Sequence, residues 1–547
     1  MSLCIMRPEL FRTSLDIPEV PYDYLLRQAA ERVPERPAIV YHDFILTYRE
    51  VISIVNSLAN GLRALGIGKG DCICIFTANR PEFSILLQAC ATIGAILSPI
   101  NPVYKQRELA YQLGDTEAKV IVVQRELLSL LQAVLREGTF PHLQHILLIG
   151  GDIPDDLPQA ISFARLIHES SPKQPEPAQI SSDDVLVLPY SSGTTGLPKG
   201  VMLTHRNLVA NHTQFRAAAR ISHTDVTVIF LPLYHIYGIL LTGSFLAAGA
   251  TQVLMERFDM DQALDICERY GVTWFFAVPP ILLTLNATPP ALLQQKMQTV
   301  RYIKSAAAPL APALAQSLQA KLGIAVVQGY GLTESSPCTH FSPLELSLAR
   351  PGSVGLPVHN TEQKVVDLET GNQELPPGQE GEILVRGPQV MLGYWKAPEE
   401  NIRALRDGWL YTGDIGYVDE DGYLYIVDRK KEMIKYKGFS IAPAELEAVL
   451  LTHRAVQDAA VIGVADEQAG EVPKGFVVLR PGQQASAEEL MAFVNENVAG
   501  YKKLHSIEFI NTLPRNPSGK ILRRTLKERE KSAIQNRASR SFRRQET

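Results

Sequence analysis

The sequence predicts an α/β protein: a large N-terminal domain of two layered α/β subdomains with a small β-rich subdomain, followed by a small α+β C-terminal domain. Three observations carry this. Short apolar runs alternate with helix-period segments over roughly the first 340 residues, the pattern of a largely parallel sheet covered by helices on both faces. From about 352 to 428 the texture changes to short strands broken by Gly and Asp turns. From 429 onward the alternation returns in a compact stretch of about 100 residues.

Each element follows from its pattern. YDYLLRQAAERV (22–33) places apolar residues at helical spacing and reads as an amphipathic helix. IVVQ (121–124) and ILLIGG (146–151) are continuous apolar runs bounded by turn signals, as buried strands are. HESSPKQPEPAQISSDD (168–184) is polar and proline-bearing and reads as a surface linker. A second α/β region then runs to about residue 340. VGLPV, EGEILVRG, GWLYTGD and GYLYIVD are the strands of the β-rich stretch. AELEAVLLTH, AAVIGVAD, GFVVLR, SAEELMAFVNENV and HSIEFI make up the C-terminal alternation. The tail after Ile521 holds nine Lys/Arg against three Glu. It reads as a solvated, partly helical or frayed end, with contact to an anionic membrane or a partner as the other reading.

Composition narrows the class. At about 150 residues per domain, 547 residues predict two to four domains. The chain is 46% hydrophobic and 20% charged, as ordinary globular proteins are. The 53 basic residues against 58 acidic ones leave a net charge of −5, which argues against a nucleic-acid-coating protein. Six scattered cysteines make no disulfide framework. Cys72 and Cys74 alternate within the apolar run DCICIF, with no second pair at ligand spacing, so a strand is expected there rather than a metal site. Neither long apolar stretch, 84–100 or 236–250, reaches the ~18–20 residues of a membrane span. The N-terminus lacks a signal layout, and a cytoplasmic location is expected, with peripheral membrane contact left open.

The most unusual segment is YSSGTTGLPKGV (190–201), directly after the apolar run DVLVLP. Hydroxyls, glycines and a lysine make poor core, but they suit a loop that wraps phosphate oxygens. Ser191, Ser192, Thr194 and Thr195 bring the hydroxyls, and Lys199 adds a cation. Glycines at 193, 196 and 200 let the backbone approach a ligand where a Cβ would intrude. No Gly-Lys-Ser/Thr follows, so this is not a Walker loop.

Further stations stand in order along the chain: LPLYHIYG (231–238), SAAAPL (305–310), GYGLTE (329–334), YTGD (411–414), DRKKEMIKYKGFSIAPAELE (428–447) and NPSGKILRR (516–524). Together with the loop they resemble the adenylate-forming superfamily of acyl-CoA synthetases, coumarate–CoA ligases, beetle luciferases and peptide-synthetase adenylation domains. The resemblance runs from about residue 20 to 525. It implies an N-terminal adenylation domain over 1–428 and a mobile C-terminal lid over 429–547, joined by a hinge at about 429–431. It also implies a two-step reaction: a carboxylate attacks the α-phosphorus of ATP to give acyl-AMP and pyrophosphate, and a thiol then takes the acyl group.

The resemblance assigns roles residue by residue. Lys520 matches the lysine that contacts carboxylate and phosphate, and a surface lysine after a turn is the alternative. Thr333 and Glu334 match the residues holding phosphate and Mg²⁺, with Thr195 as a further metal-side hydroxyl. Gln328, Gly329, Tyr330 and Gly331 line the nucleotide, with Tyr330 stacked on adenine or else a core aromatic. Asp414 matches the ribose-binding carboxylate, and Arg429 reaches ribose or phosphates. His235 sits beside the acyl site in the family, although a lone histidine in an apolar run also fits a core position. Lys431 is the matched hinge, solvated in both states. After rotation Lys437 and Gly438 line the thiol tunnel, and Lys435 serves the second half-reaction.

Pocket walls by the same matching are Tyr237, Gly238, Ile239, Phe275, Phe276, Ser305, Ala306, Ala307, Ala308, Pro337 and Cys338. They offer no carboxylate for an ammonium, which argues against an amino acid and leaves fatty and aryl acids open. The family usually has Gly where this chain has Ala306, so an added methyl narrows the slot. ATP, Mg²⁺ and CoA are the implied cofactors and co-substrates, and no carrier-attachment serine is evident. Three alternatives stay open: a stand-alone loader of a separate acyl carrier protein, a luciferase-type monooxygenase, and an inactive nucleotide-sensing homologue. No nucleic-acid partner or integral membrane segment is expected, and monomer or homodimer both fit.

Overall fold

Thr47 accepts the Glu50 N–H at 3.3 Å while the Glu50 carboxylate accepts the Thr47 N–H at 2.8 Å, and this capping box starts the helix Tyr48–Ala64. The segment 168–184, read as a surface linker, is tied to that helix and the loop after it. Asn60 Nδ2 donates to the carbonyls of Ser171 and Lys173 at 2.8 and 2.9 Å, Arg63 to that of Glu176 at 2.6 Å and Lys69 to that of Gln179 at 3.0 Å. A polar stretch needs partners for its own carbonyls, and these long side chains supply them.

The computed structural model describes residues 14–155, 157–191, 198–430, 432–436, 439–466, 469–498, 500–516 and 519–532. The chain divides into two compact units. One is Met1–Ala306 with Pro312–Gln363 and Val385–Tyr411; the other is Ala307–Ala311 with Lys364–Leu384 and Thr412–Thr547. The mixed α/β class expected from the sequence is what the structure has.

Among the described residues the first unit holds two nine-stranded sheets. In one, Cys72–Phe76 lies between Ile96–Ile100 and Val120–Gln124, all parallel and all buried, as apolar strands covered on both faces must be. In the other, Thr251–Leu254, Val226–Ile229, Trp274–Ala277, Tyr302–Ser305 and Ala325–Gly331 run parallel in that order, and Cys338–Phe341 then turns antiparallel.

Two expectations about layer membership are corrected here. Pro37–Tyr41 and Phe44–Thr47, which fall in the first α/β region by sequence, form an edge of the second sheet through parallel pairing of Pro37–Tyr41 with Thr251–Leu254. The Leu356–Pro357 strand of VGLPV, assigned to the β-rich stretch, pairs with Cys338–Phe341 at the opposite edge of the same sheet. A four- or five-residue apolar strand carries no address. Which sheet edge it joins depends on where the chain returns. EGEILVRG, GWLYTGD and GYLYIVD form the strands Gly381–Arg386, Trp409–Val418 and Leu424–Arg429, and the stretch also holds Glu362–Val366 and Leu405–Arg406, which the sequence reading did not mark.

The apolar stretch at 236–250 is the helix Ile236–Ala248, buried at every residue. Among the described residues no helix is long and apolar enough to cross a membrane. Cys72, Cys74, Cys90, Cys267 and Cys338 are buried free thiols.

In the second unit, Val456–Asp466 pairs along its length with Gly470–Leu479, which also takes Ser506–Phe509 in parallel. The helices Pro443–Thr452 and Ala487–Glu496 pack their leucines and valines onto this sheet. The buried Lys474 ammonium is paired with Glu508 at 2.9 Å and with Glu530, which pins the helix at 523–532. The basic tail is therefore helical up to Ser532, and 533–547 lies outside the described residues.

Two buried histidines on the helix His205–Ala219 give this fold an acid sensitivity. His205 Nδ1 accepts the Tyr22 N–H at 3.0 Å, and His212 packs edge-on against the Tyr22 ring at 5.2 Å. Burial pulls His212 down to about 3 and His205 to about 4. Below an unfolded value near 6.5 the unfolded chain therefore binds more protons than the native one, so stability falls as pH falls through this window. Acidification from pH 7 to 5 is expected to remove roughly 2 kcal/mol per histidine. His212→Gln should flatten the slope of the urea midpoint against pH; parallel slopes for variant and parent would show that the histidine does not titrate with folding.

Candidate active site

The strand Tyr190–Ser191 pairs with Lys199–Thr204, Ser191 opposite Lys199, so the two ends of the glycine-rich loop are fixed side by side. Tyr190 is held by its hydroxyl, which donates to Asp115 Oδ2 at 2.5 Å. The loop residues Ser192, Gly193, Thr194, Thr195 and Gly196 lie outside the described residues.

At the base of the loop the chain assembles a small polar cluster. Ser191 Oγ donates to Glu334 Oε1 at 3.2 Å, and Tyr394 Oη donates to the same oxygen at 3.0 Å. Burial, and then the Glu334 charge, push the Tyr394 phenol up, so it stays protonated as the donor. The Lys199 ammonium lies 5.7 Å over the Tyr394 ring and pairs with Glu400 at 2.8 Å. Thus Ser191, Lys199 and Glu334 come together as the motif order suggested. Tyr394 and Glu400 join them without having been singled out, and the signal was an aromatic pair followed by acids in GYWKAPEE.

The strand Ala325–Gly331 carries Gln328, Gly329, Tyr330 and Gly331, and the turn Thr333–Ser335 that follows presents Thr333 and Glu334. Gly331 has a packing reason for its identity: a Cβ there would lie 1.8 Å from the Pro337 carbonyl oxygen. The Pro337 carbonyl accepts the Leu332 N–H at 3.1 Å and the Ser335 hydroxyl at 2.7 Å. Tyr330 tilts toward His340 with ring centres 5.8 Å apart.

Among the expected acid-pocket residues, His235 caps the helix Ile236–Ala248, its Nδ1 accepting the Tyr237 N–H at 3.2 Å. Gly238 sits against the preceding turn, where a Cβ would lie 2.2 Å from the Pro232 carbonyl. Ile239, Phe275 and Phe276 are fully buried, with Phe276 stacked on Trp274 at 5.2 Å. Ser305 ends the strand Tyr302–Ser305, Ala306 and Ala308 are partly exposed, and Ala307 is exposed with φ +71°. Cys338 is buried, its N–H held by Asn211 Oδ1 at 2.9 Å.

One residue here escaped sequence reasoning. Lys304 is only 2% exposed, and its ammonium lies 4.7 Å over Phe215, 4.7 Å over Phe341 and 5.5 Å over Tyr237. Burial drives its pKa down, opposed by the neighbouring Cys338. The buried Tyr237 hydroxyl and Ser305 Oγ have no hydrogen-bond partner in the structure. A charged residue inside the otherwise apolar strand YIKS was the available signal.

The second unit holds its own share of the expected residues. Asp414, 5% exposed, faces Arg429 across an antiparallel pair, with Nε 3.4 Å from its carboxylate. Lys435 lies on Ile434–Tyr436, its N–H donating to Glu471 at 2.9 Å. Lys520 closes a turn: its N–H donates to Asn516 Oδ1 at 2.8 Å, its carbonyl accepts the Asn516 N–H at 2.9 Å, and Arg515 braces the Gly519 carbonyl at 2.6 Å. Lys431, Lys437 and Gly438 lie outside the described residues.

The donor set suits Mg²⁺. Among the described residues no cluster of three or more His, Cys, Asp or Glu is placed to hold a metal ion. A single carboxylate, Glu334, ringed by hydroxyls matches an ion that prefers hard oxygen and keeps several waters.

Comparison with known proteins places this geometry. The family model described as "AMP-binding enzyme" matches residues 26–395, and "AMP-binding enzyme C-terminal domain" matches 445–520. The chain is 41% identical over 499 residues to 4-coumarate–CoA ligase 1 of Petroselinum crispum, covering 88% of this chain and 89% of that one. Among solved structures, ATP-bound MatB from Rhodopseudomonas palustris matches with a TM-score of 0.85 at 29% identity, covering 92% of this chain and 98% of that one. The anthranilate CoA ligase AuaEII, in complex with anthranoyl-AMP, matches with a TM-score of 0.85 at 29% identity, over 94% and 98% of the two chains.

Tyr394→Phe removes one of the two hydroxyls on Glu334. A hydrogen bond to a charged group is worth about 1.5–3 kcal/mol, or roughly 10–150-fold in rate. ATP–pyrophosphate exchange should fall within that range; a change under twofold would mean that Tyr394 does not hold Glu334 for the reaction.

Proposed function

The chain belongs to the AMP-binding enzyme family, and on that membership we propose that it is an acid–CoA ligase that activates an aryl acid carrying a ring hydroxyl or similar polar group. ATP, Mg²⁺ and CoA are the cofactors and co-substrates of this ligase chemistry. The observation that carries the choice of acid is the polar set around Lys304: a buried ammonium caged by Phe215, Phe341 and Tyr237, the last carrying a buried hydroxyl without a partner among the described residues. An alkyl chain would leave the Tyr237 hydroxyl unmet and bring nothing polar to the ammonium, which costs free energy. A hydroxylated ring stacks on the aromatic walls and meets the polar groups. The similarity to a 4-coumarate–CoA ligase supports the same class. The 4-coumarate–CoA ligase and the anthranilate CoA ligase it resembles are named for CoA, which supports CoA as the acceptor in this reading.

The chemistry then runs in two steps. The acid's carboxylate oxygen attacks the α-phosphorus, the bond to the bridging oxygen breaks, and pyrophosphate leaves with its electron pair. Like charges meet in this step, so Lys199 and Lys520 are read as the cations that stabilise them. Glu334 would hold Mg²⁺, which when bound would supply charge neutralisation for the phosphates. Asp414 and Arg429 hold the ribose. The CoA thiolate next attacks the acyl carbon and AMP leaves. For this step the unit after the hinge at Lys431 turns, withdrawing Lys520 and presenting Lys435, Lys437 and Gly438. His235 is read as guiding the carboxylate and the thiol's approach.

With ATP, CoA and a panel of acids, the expected products are acyl-CoA, AMP and pyrophosphate, with hydroxylated aryl acids preferred over fatty acids. ADP and phosphate would place the attack at another phosphorus. Lys304→Met should lower kcat/KM for hydroxylated aryl acids about 10–200-fold relative to their unsubstituted analogues. An unchanged ratio would remove Lys304 from the pocket.

The rotation makes a second demand. Lys520→Ala should lower acyl-AMP formation by about 10²–10³ while still turning preformed acyl-AMP and CoA into thioester. Gly438→Trp should do the reverse. If both variants fail in the same half-reaction, one fixed active site is the better model.

A further inference from the structure

The phosphate-loop lysine already has an acidic partner. Lys199 and Glu400 pair at 2.8 Å with side chains 16% and 25% exposed, so this is not a pair of freely moving surface groups. Their positions are set by backbone. Lys199–Thr204 pairs with Gly393–Tyr394, and the Trp395 N–H donates to the Gly200 carbonyl at 2.8 Å. Asn401 then grips Tyr394, accepting its N–H at 2.5 Å, which ties the helix Pro398–Ala404 to that strand. Glu400 sits in the first turn of this helix, with Arg403 Nη1 at 3.4 Å from its other oxygen.

We propose that Glu400 is the resting counterion of Lys199 and that it deliberately weakens the site's hold on pyrophosphate. The proposal rests on the reading that Lys199 meets the ATP phosphates. A polyphosphate arriving at Lys199 either displaces Glu400 or shares the ammonium with it. In both cases the carboxylate's repulsion is subtracted from the attraction, by roughly tenfold in affinity for a partly buried charge at this range. The penalty scales with charge near Lys199. It therefore falls on pyrophosphate and on the β- and γ-phosphates of ATP, and far less on AMP. A site that must release a densely charged product before CoA acts gains from this arrangement, because a lysine without a counterion would retain that product.

The test uses the full-length enzyme with pyrophosphate, ATP and AMP as probes. Glu400→Gln keeps the shape and removes the charge. It should tighten product inhibition by pyrophosphate about 5–50-fold, lower KM for ATP and leave AMP affinity within twofold. Glu400→Ala should act with the same sign. In a Lys199→Ala background the effect of Glu400→Gln on pyrophosphate should largely disappear. Unchanged or weaker pyrophosphate binding in both Glu400 variants, with Lys199→Ala still weakening it, overturns the counterion role alone. If Lys199→Ala leaves pyrophosphate binding intact, the phosphate reading of Lys199 fails and the counterion role falls with it. Equal tightening of AMP and pyrophosphate would also overturn the proposal, since the effect would then be general loosening of the site rather than charge.

Discussion

The carboxylate of Glu334 joins three stretches of chain far apart in sequence. Ser191, at the mouth of the glycine-rich loop, and Tyr394, two hundred residues later, both donate to one of its oxygens. Much of the surrounding architecture serves that convergence. The strand Ala325–Gly331 delivers Glu334, the pairing of Tyr190–Ser191 with Lys199–Thr204 closes the loop's ends, and Gly393–Tyr394 adds to the same sheet to bring the phenol. A carboxylate part-buried among hydroxyl donors keeps its direction, which is what a site for a cation and a polyphosphate requires.

Elsewhere the molecule treats buried polarity in two opposite ways. In the second unit Lys474 is met by Glu508 and Glu530, and both oxygens of Glu447 accept from Arg523 Nη2 while one also accepts the Val461 N–H, so each buried charge is satisfied and fixes a helix on the sheet. Around Lys304 the partners are aromatic faces, and the nearby Tyr237 and Ser305 hydroxyls are left without any. Satisfied networks hold the fold.

Individual elements were legible in the sequence because their causes are local. The helix read over 22–33 is Asp23–Arg32, and the strand read over 121–124 is Val120–Gln124. The Asn-Pro-Ser-Gly-Lys turn could be read because Asn516 bonds its neighbours within four residues. Layer membership was not legible. Pro37–Tyr41 and Leu356–Pro357 each joined a sheet that their neighbours in sequence did not suggest, because pairing partners are chosen by return of the chain and not by residue type. Lys304 and Glu400 were passed over for the related reason that their meaning lies in what faces them across the fold.

By itself the sequence determined the α/β class, the order of the motifs and the residue types that can carry adenylate chemistry, because helix period, strand runs, turn residues and a glycine-rich hydroxyl loop all act over a few residues. Only the tertiary structure decided that Tyr394 would hold Glu334, that Lys199 would face Glu400, and that the Lys304 ammonium would stand among three rings. Those are contacts between residues 37 to 201 positions apart. Such contacts exist only once the sheets have closed, because the free energy that selects them comes from burial and from charges brought face to face, which short-range sequence patterns do not encode.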